Sequence, residues 1–216
     1  MHTRRVSAIL AGVLCSAGMA CVSCATMSLQ SPKPMEKGKV GIGVHAGFFL
    51  EPTGVDGDGQ DASSPPVVQG TLQVGLGRGM KLGLNLGNLE GEAVFKYGFM
   101  SPEKPLQISL IAAAGLLQWE ALDINAGALS GYTIADVLRP YVGYRHHLLP
   151  ELDLSLGGVI GGMEILPSKK VGFMFEVNYT IAYTSGKKIS LGELGDLSID
   201  ESFHLTAISG GIVLRP

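Results

Sequence analysis

The chain has 216 residues, with 16 Lys and Arg against 19 Asp and Glu, for a net charge of −3. That balance gives no support for a nucleic-acid-binding surface. Charged residues are only 16%, against about 25% in ordinary soluble domains, yet the chain holds 31 glycines that a water-soluble core does not need.

The first residues read as a targeting segment. "MHTRR" supplies a positive start and "VSAILAGVLCSAGMACVSC" an apolar, small-residue stretch, so 1–23 is expected to be a signal peptide. All three cysteines, Cys15, Cys21 and Cys24, lie in or at the end of this segment, so the folded part has no disulfide and no thiolate metal site. A cysteine closing such a segment resembles a bacterial lipoprotein signal, which implies lipidation of Cys24. Cys21 and ordinary cleavage after Ala25 are the alternatives. Residues 24–37 then form a polar tether, and 38–216 the folded domain.

That domain opens with "GKVGIGVHAGFFLE". Val40, Ile42, Val44, Ala46, Phe48 and Leu50 alternate with smaller or polar residues, and Gly41, Gly43 and Gly47 miss the G-x-G-x-x-G spacing of a dinucleotide loop. The stretch is therefore a two-faced strand. The same alternation fills 67–77, turns at "GRGM" and continues through Leu82, Leu84 and Leu86. At "GNLEG" its phase flips, which marks a hairpin, and Ala93, Phe95, Tyr97 and Phe99 carry the next strand. After "SPEKP", residues 106–116 alternate again, ending near Trp119, and 120–131 read as a longer connection. Strands follow at 134–145, 152–160 and 171–183, where Leu152, Leu154, Leu156 and Ile160 are read as one apolar face. "FHLTAISGGIVL" closes the chain.

This makes nine strands of ~10 residues, the length that crosses a bilayer at a tilt. No apolar run reaches the ~18 residues of a transmembrane helix, so a membrane-embedded chain must be a closed barrel. An even count is expected: ten if a strand near "KKISLGEL" is added, eight if two segments merge. The expected fold is thus an all-β, closed, antiparallel up-and-down transmembrane barrel of eight to ten strands.

The glycines orient it. A solvated face has no reason to shed side chains, whereas the crowded lumen of a narrow barrel does. The glycine-bearing face also carries Lys39, Lys81, Glu92, Lys96, Arg139, Arg145, Asp153 and Glu176, expected as a paired polar network in the lumen. The opposite face is nearly free of charge, Asp136 being its misfit near a strand end. Tyr97, Phe99, Tyr144 and Tyr183 are expected in a girdle at the periplasmic strand ends.

The signal ending "CATM", the tether closing "EKGK", and "GRGMKLGLNLG", "FKYGFMSPEKPLQISLIAAAG" and "LRPYVGYR" resemble the small outer-membrane β-barrel proteins of Gram-negative-type bacteria. The resemblance implies the cell outer membrane as location, with the N-terminus on the periplasmic side. It implies the lipid bilayer and the barrel-assembly machinery as partners. One departure is the final "VLRP", where such barrels end in an aromatic residue.

Chemistry is sparse. His146 and His147 are adjacent, so their side chains diverge; they are expected in a solvated periplasmic turn beside "LLPE". His45 reads as a hydrogen-bonded lumen residue. Glu201, Ser202 and His204 form the most triad-like group, although Ser202 and His204 are ~6–7 Å apart along a strand. Asp56, Asp58 and Asp61 in "VDGDGQD" make half a calcium loop without its closing Glu. "NYT" at 178 lies inside a strand. The expectation is a non-catalytic barrel without cofactor or metal, serving a structural, small-ligand or surface-interaction role. An outer-membrane lipid-modifying hydrolase and a soluble lipocalin-like or β-sandwich lipoprotein are the alternatives.

Overall fold

The computed structural model describes residues 30–50, 66–88, 90–117, 121–152, 154–168, 170–184, 188–190, 196–198 and 204–215. The strands are β1 (Val40–Phe49), β2 (Val67–Gly77), β3 (Met80–Gly87), β4 (Glu90–Gly98), β5 (Leu106–Leu117), β6 (Ala121–Tyr132), β7 (Leu138–Leu149), β8 (Leu154–Ile165), β9 (Val171–Thr184), β10 (Lys188–Ser190), β11 (Asp196–Ser198) and β12 (His204–Leu214). Ten of them close into one antiparallel barrel, in the order β1-β12-β9-β8-β7-β6-β5-β4-β3-β2, and β10 pairs only with β11. The seam joins Ile42 to Leu214 and Phe49 to Ala207. Closure leaves no unpaired sheet edge, the condition for a sheet in hydrocarbon.

β1 begins and β12 ends at one mouth, here the terminal mouth. The longest intervals between successive barrel strands, 50–66 and 185–203, open at the opposite, far mouth.

The outward face is an apolar belt. Val44 is 60% exposed, Phe175 51% and Val177 48%, alongside some thirty other large apolar side chains. Soluble monomers rarely expose contiguous apolar patches beyond a few hundred Å². All nine Asp, Glu, Lys and Arg residues of the barrel strands are instead buried on the inward side. Apolar outside and charged inside is the arrangement of a transmembrane barrel.

Three readings of the sequence are corrected. The tenth barrel strand is β6, in the stretch read as a connection, and the "KKIS" segment belongs to the separate β10–β11 hairpin. Outward alanines (Ala126, Ala128) and inward Leu129 blur the contrast between the two faces of β6. β8 has the opposite phase: Leu154, Leu156 and Ile160 are buried in the lumen, while Ser155, Gly157, Val159 and Met163 face outward. A lumen accepts apolar side chains as readily as polar ones, so apolar parity alone does not say which face is outside. Third, the "LLPE" turn is at the far mouth, opposite the start of β1 and the end of β12. The aromatic girdle divides likewise. Tyr97 and Phe99 lie at the terminal mouth in an edge-to-face pair 5.1 Å between centroids, Tyr144 is well along β7, and the side chain of Tyr183 is outside the described residues. Asp136 is exposed in the turn between β6 and β7, at a left-handed φ of 58°, and so never meets the apolar belt.

Candidate functional site

At the terminal mouth, β4, β7 and β8 turn Lys96, Arg139 and Glu164 inward around Ser31. Ser31 belongs to the segment read as a polar tether, which over 30–35 is packed inside the barrel; Gln30, Ser31, Pro32 and Pro34 are buried. Ser31 Oγ donates to Glu164 Oε2 at 2.8 Å and accepts from Arg139 Nη1 at 2.9 Å. Lys96 Nζ donates to the Ser31 carbonyl. Glu164 is ion-paired with both Arg139 and Arg215. Lys81 donates to Gln73 Oε1 at 2.8 Å. Burial first, then the nearby Arg139 and Arg215 guanidiniums, hold the Lys33 ammonium below its ordinary pKa.

Missing side chains in the wall make room for this segment. A Cβ at Gly131 would meet Pro32 Cγ at 2.6 Å, and one at Gly75 would overlap the Glu36 carbonyl. Gly131→Leu should therefore expel the segment, making 30–37 protease-sensitive while the barrel keeps its heat-modifiable migration on gels. Equal protection in the variant would show that the segment is not seated there.

Further in, Val94, Ile111, Ala113, Leu129, Tyr141, Ile160, Met174 and Val213 form a buried apolar cluster. Tyr141 donates its hydroxyl to Glu176 Oε2 at 3.0 Å. Beyond this waist lies a second polar cluster toward the far mouth. Glu92 pairs with Arg145 and accepts from Asn125 at 2.8 Å and from Asn85 at 2.9 Å. His147 Nδ1 meets Asp123 Oδ2 at 3.1 Å, and Gln69 donates to Glu90 at 2.5 Å. Three layers thus fill the lumen.

Of the residues expected in the lumen network, Lys81, Glu92, Lys96, Arg139, Arg145 and Glu176 are buried there. Lys39 is exposed just before β1, because the strand begins one residue later, and Asp153 lies outside the described residues. Glu92 and Lys96 share a face but serve different clusters, with Val94 between them. Sequence reasoning missed Ser31, Glu90, Asp123, His147 and Glu164. Asp123 was hidden by reading β6 as a connection, and Glu164 by the inverted phase of β8. His45 is buried against Thr71, 2.9 Å from His45 Nε2 to Thr71 Oγ1. Asn178 of the "NYT" sequon is buried in the lumen. Cys21, Cys24, Asp56, Asp58, Asp61, Glu201, Ser202 and the side chain of His204 lie outside the described residues.

Among the described residues, one histidine sits on the outer wall. His146, on β7, faces outward, and its two ring nitrogens are both engaged. Nε2 lies 2.9 Å from Ser155 Oγ, and Nδ1 lies 3.1 Å from the Tyr144 hydroxyl. The Tyr144 and His146 rings stack at 25°, 6.3 Å between centroids. The register explains the meeting: His146 pairs with Gly157 and Leu148 with Ser155, so His146 and Ser155 are diagonal neighbours on one face. Sequence reasoning sent these histidines to a turn, whereas β7 runs through both to Leu149.

No protein-family model matches the chain, and no curated protein is similar to it at a significant level. Solved structures do resemble it. A structure described as "De novo design of transmembrane beta-barrels" is 14% identical with a TM-score of 0.40, over 85% of this chain and 99% of the other. The N-terminal β-barrel domain of Pseudomonas aeruginosa OprF is 10% identical with a TM-score of 0.34, over 83% of this chain and all (100%) of the other. The outer membrane protease OmpT from Escherichia coli is 8% identical with a TM-score of 0.41, over 83% of this chain and 94% of the other.

Proposed function

We propose that the chain is a bacterial outer-membrane barrel that conducts nothing through its lumen and acts through its outer wall and far-mouth loops. The observation that carries this reading is the filled interior: the 30–37 segment at the terminal mouth, the apolar waist, and the Glu92–Arg145 cluster beyond it. A ten-stranded barrel is near the size at which side chains alone fill the lumen. The two longest connections, 50–66 and 185–203, both open at the far mouth, which favours a periplasmic terminal mouth. Lipid attachment at Cys24 and insertion by the barrel-assembly machinery belong to the same reading.

The test is conductance. Full-length mature protein inserted into planar bilayers in molar potassium chloride should give no stepwise current. Porin-like steps would sink the proposal.

A further inference from the structure

The outward face of the barrel strands carries no Asp, Glu, Lys or Arg among the described residues, and one described histidine, His146. A polar side chain beside lipid is costly unless its hydrogen bonds are met. Here both ring nitrogens are met, Nδ1 by the Tyr144 hydroxyl and Nε2 by Ser155 Oγ. In the tautomer with the proton on Nδ1, which donates it to the Tyr144 oxygen, the Nε2 lone pair is free to accept the Ser155 hydroxyl proton. A serine bonded to an imidazole whose other nitrogen is oriented by a third group is the arrangement of an activated nucleophile.

We propose that Ser155, His146 and Tyr144 form a catalytic site that hydrolyses fatty acyl esters of lipids packed against the outer wall near the far mouth. Location and shape both fit. Ser155 is the second residue of β8, next to the far-mouth turn, where water and ester groups meet at the edge of the apolar belt. Toward mid-wall, one step beyond exposed Val159, outward Gly161 leaves a gap in β8, and a Cβ there would touch nothing within 4 Å. Exposed Val142 and Val177, the cross-strand partners of Gly161, and Val159 border this shallow apolar notch, against which an acyl chain can lie along the wall.

In the reaction, Ser155 Oγ attacks the ester carbonyl carbon as its proton passes to His146 Nε2. The tetrahedral intermediate collapses, the ester C–O bond breaks, and the leaving alcohol takes the proton from His146. Water then attacks the acyl-serine, giving its proton to His146, and Ser155 leaves with that proton, releasing a free fatty acid. Ser155 and His146 are the catalytic residues. Tyr144 is a positioning residue, and with a phenol in place of a carboxylate the imidazolium is stabilised less, so turnover is slow.

The alternative is that Ser155 and His146 merely satisfy each other, in which case the serine is unreactive. The test uses the full-length chain folded in detergent micelles and an alkyl fluorophosphonate, with folding of each variant checked by heat-modifiable migration. Labelling should map to Ser155 and fall at least about tenfold in Ser155→Ala and in His146→Gln, which keeps a hydrogen-bonding side chain but no base. Ser130→Ala, at another outward serine, should label like the wild type. With a p-nitrophenyl fatty ester, Tyr144→Phe should lower kcat about tenfold while KM holds. Fatty acid released from phosphatidylethanolamine would identify phospholipid as the substrate, and release from lipopolysaccharide would identify the glycolipid. Unlabelled folded wild type, labelling that survives in Ser155→Ala, or release from neither lipid would overturn the proposal.

Discussion

Replacing Glu164 with Gln is expected to lower folding stability by about 3–5 kcal/mol, the cost of removing one partner from a buried ion pair. Glu164 is fully buried at 0% exposure and is paired with both Arg139 and Arg215. Lys81 and Lys96 lie within electrostatic reach of it as well. Among the described residues it is the carboxylate that both Arg139 and Arg215 pair with, so its loss leaves the buried Arg139 guanidinium without this counter-charge. The Ser31 hydroxyl also loses its charged acceptor, and the N-terminal segment should loosen in parallel. Urea unfolding of the refolded barrel, followed by heat-modifiable migration, measures the first effect, and proteolysis of 30–37 the second. Adding Arg139→Leu to Glu164→Gln should restore part of the loss, because the orphaned charge is then removed. An unchanged midpoint in the single variant would mean that Glu164 is hydrated rather than enclosed.

Arginine at Val177 should cost about 2–4 kcal/mol of stability in bilayers, the penalty for a cation on the lipid face near the midplane. Val177 lies centrally on β9, between Gly161 on β8 and Ile208 on β12. Phe175, Val177 and Tyr179 are exposed outward, while Glu176 and Asn178 are buried inward. Single cysteines bearing a fluorophore should therefore be quenched strongly by lipid-attached spin labels at 175, 177 and 179, and weakly at 176 and 178. The alternation is the discriminating feature. Recovery of a folded, detergent-free monomer of residues 25–216 from buffer would end the membrane-barrel reading, because the apolar belt would then face water.

Where lipid presses on one face of a strand and a polar lumen on the other, the sequence alone determined the structure. In β3, β4, β7 and β9 the parity of apolar residues separates the outward side chains from Lys81, Glu92, Lys96, Arg139, Arg145 and Glu176, which are buried on the opposite side. The physical reason is one-sided: a charge on the outer face is costly, so charges mark the lumen wherever they occur. The rule fails where the contrast is weak. β6 presents alanines outward and a leucine inward, and β8 presents leucines inward with Ser155 and glycines outward, so only strand pairing set their phase. Once β8 is inverted, two features appear together that no local pattern encodes: Glu164 meets its cross-strand partner Arg139 on the lumen side, and Ser155 meets His146 on the outer wall. The 30–35 segment packed inside the barrel is a stronger case still. Nothing in "QSPKPM" announces a lumen occupant; it becomes one because glycines at 75 and 131 open the wall beside it and Arg139, Glu164 and Lys96 converge on its serine. Contacts between residues tens of positions apart depend on barrel closure and register, and only the tertiary structure decided those.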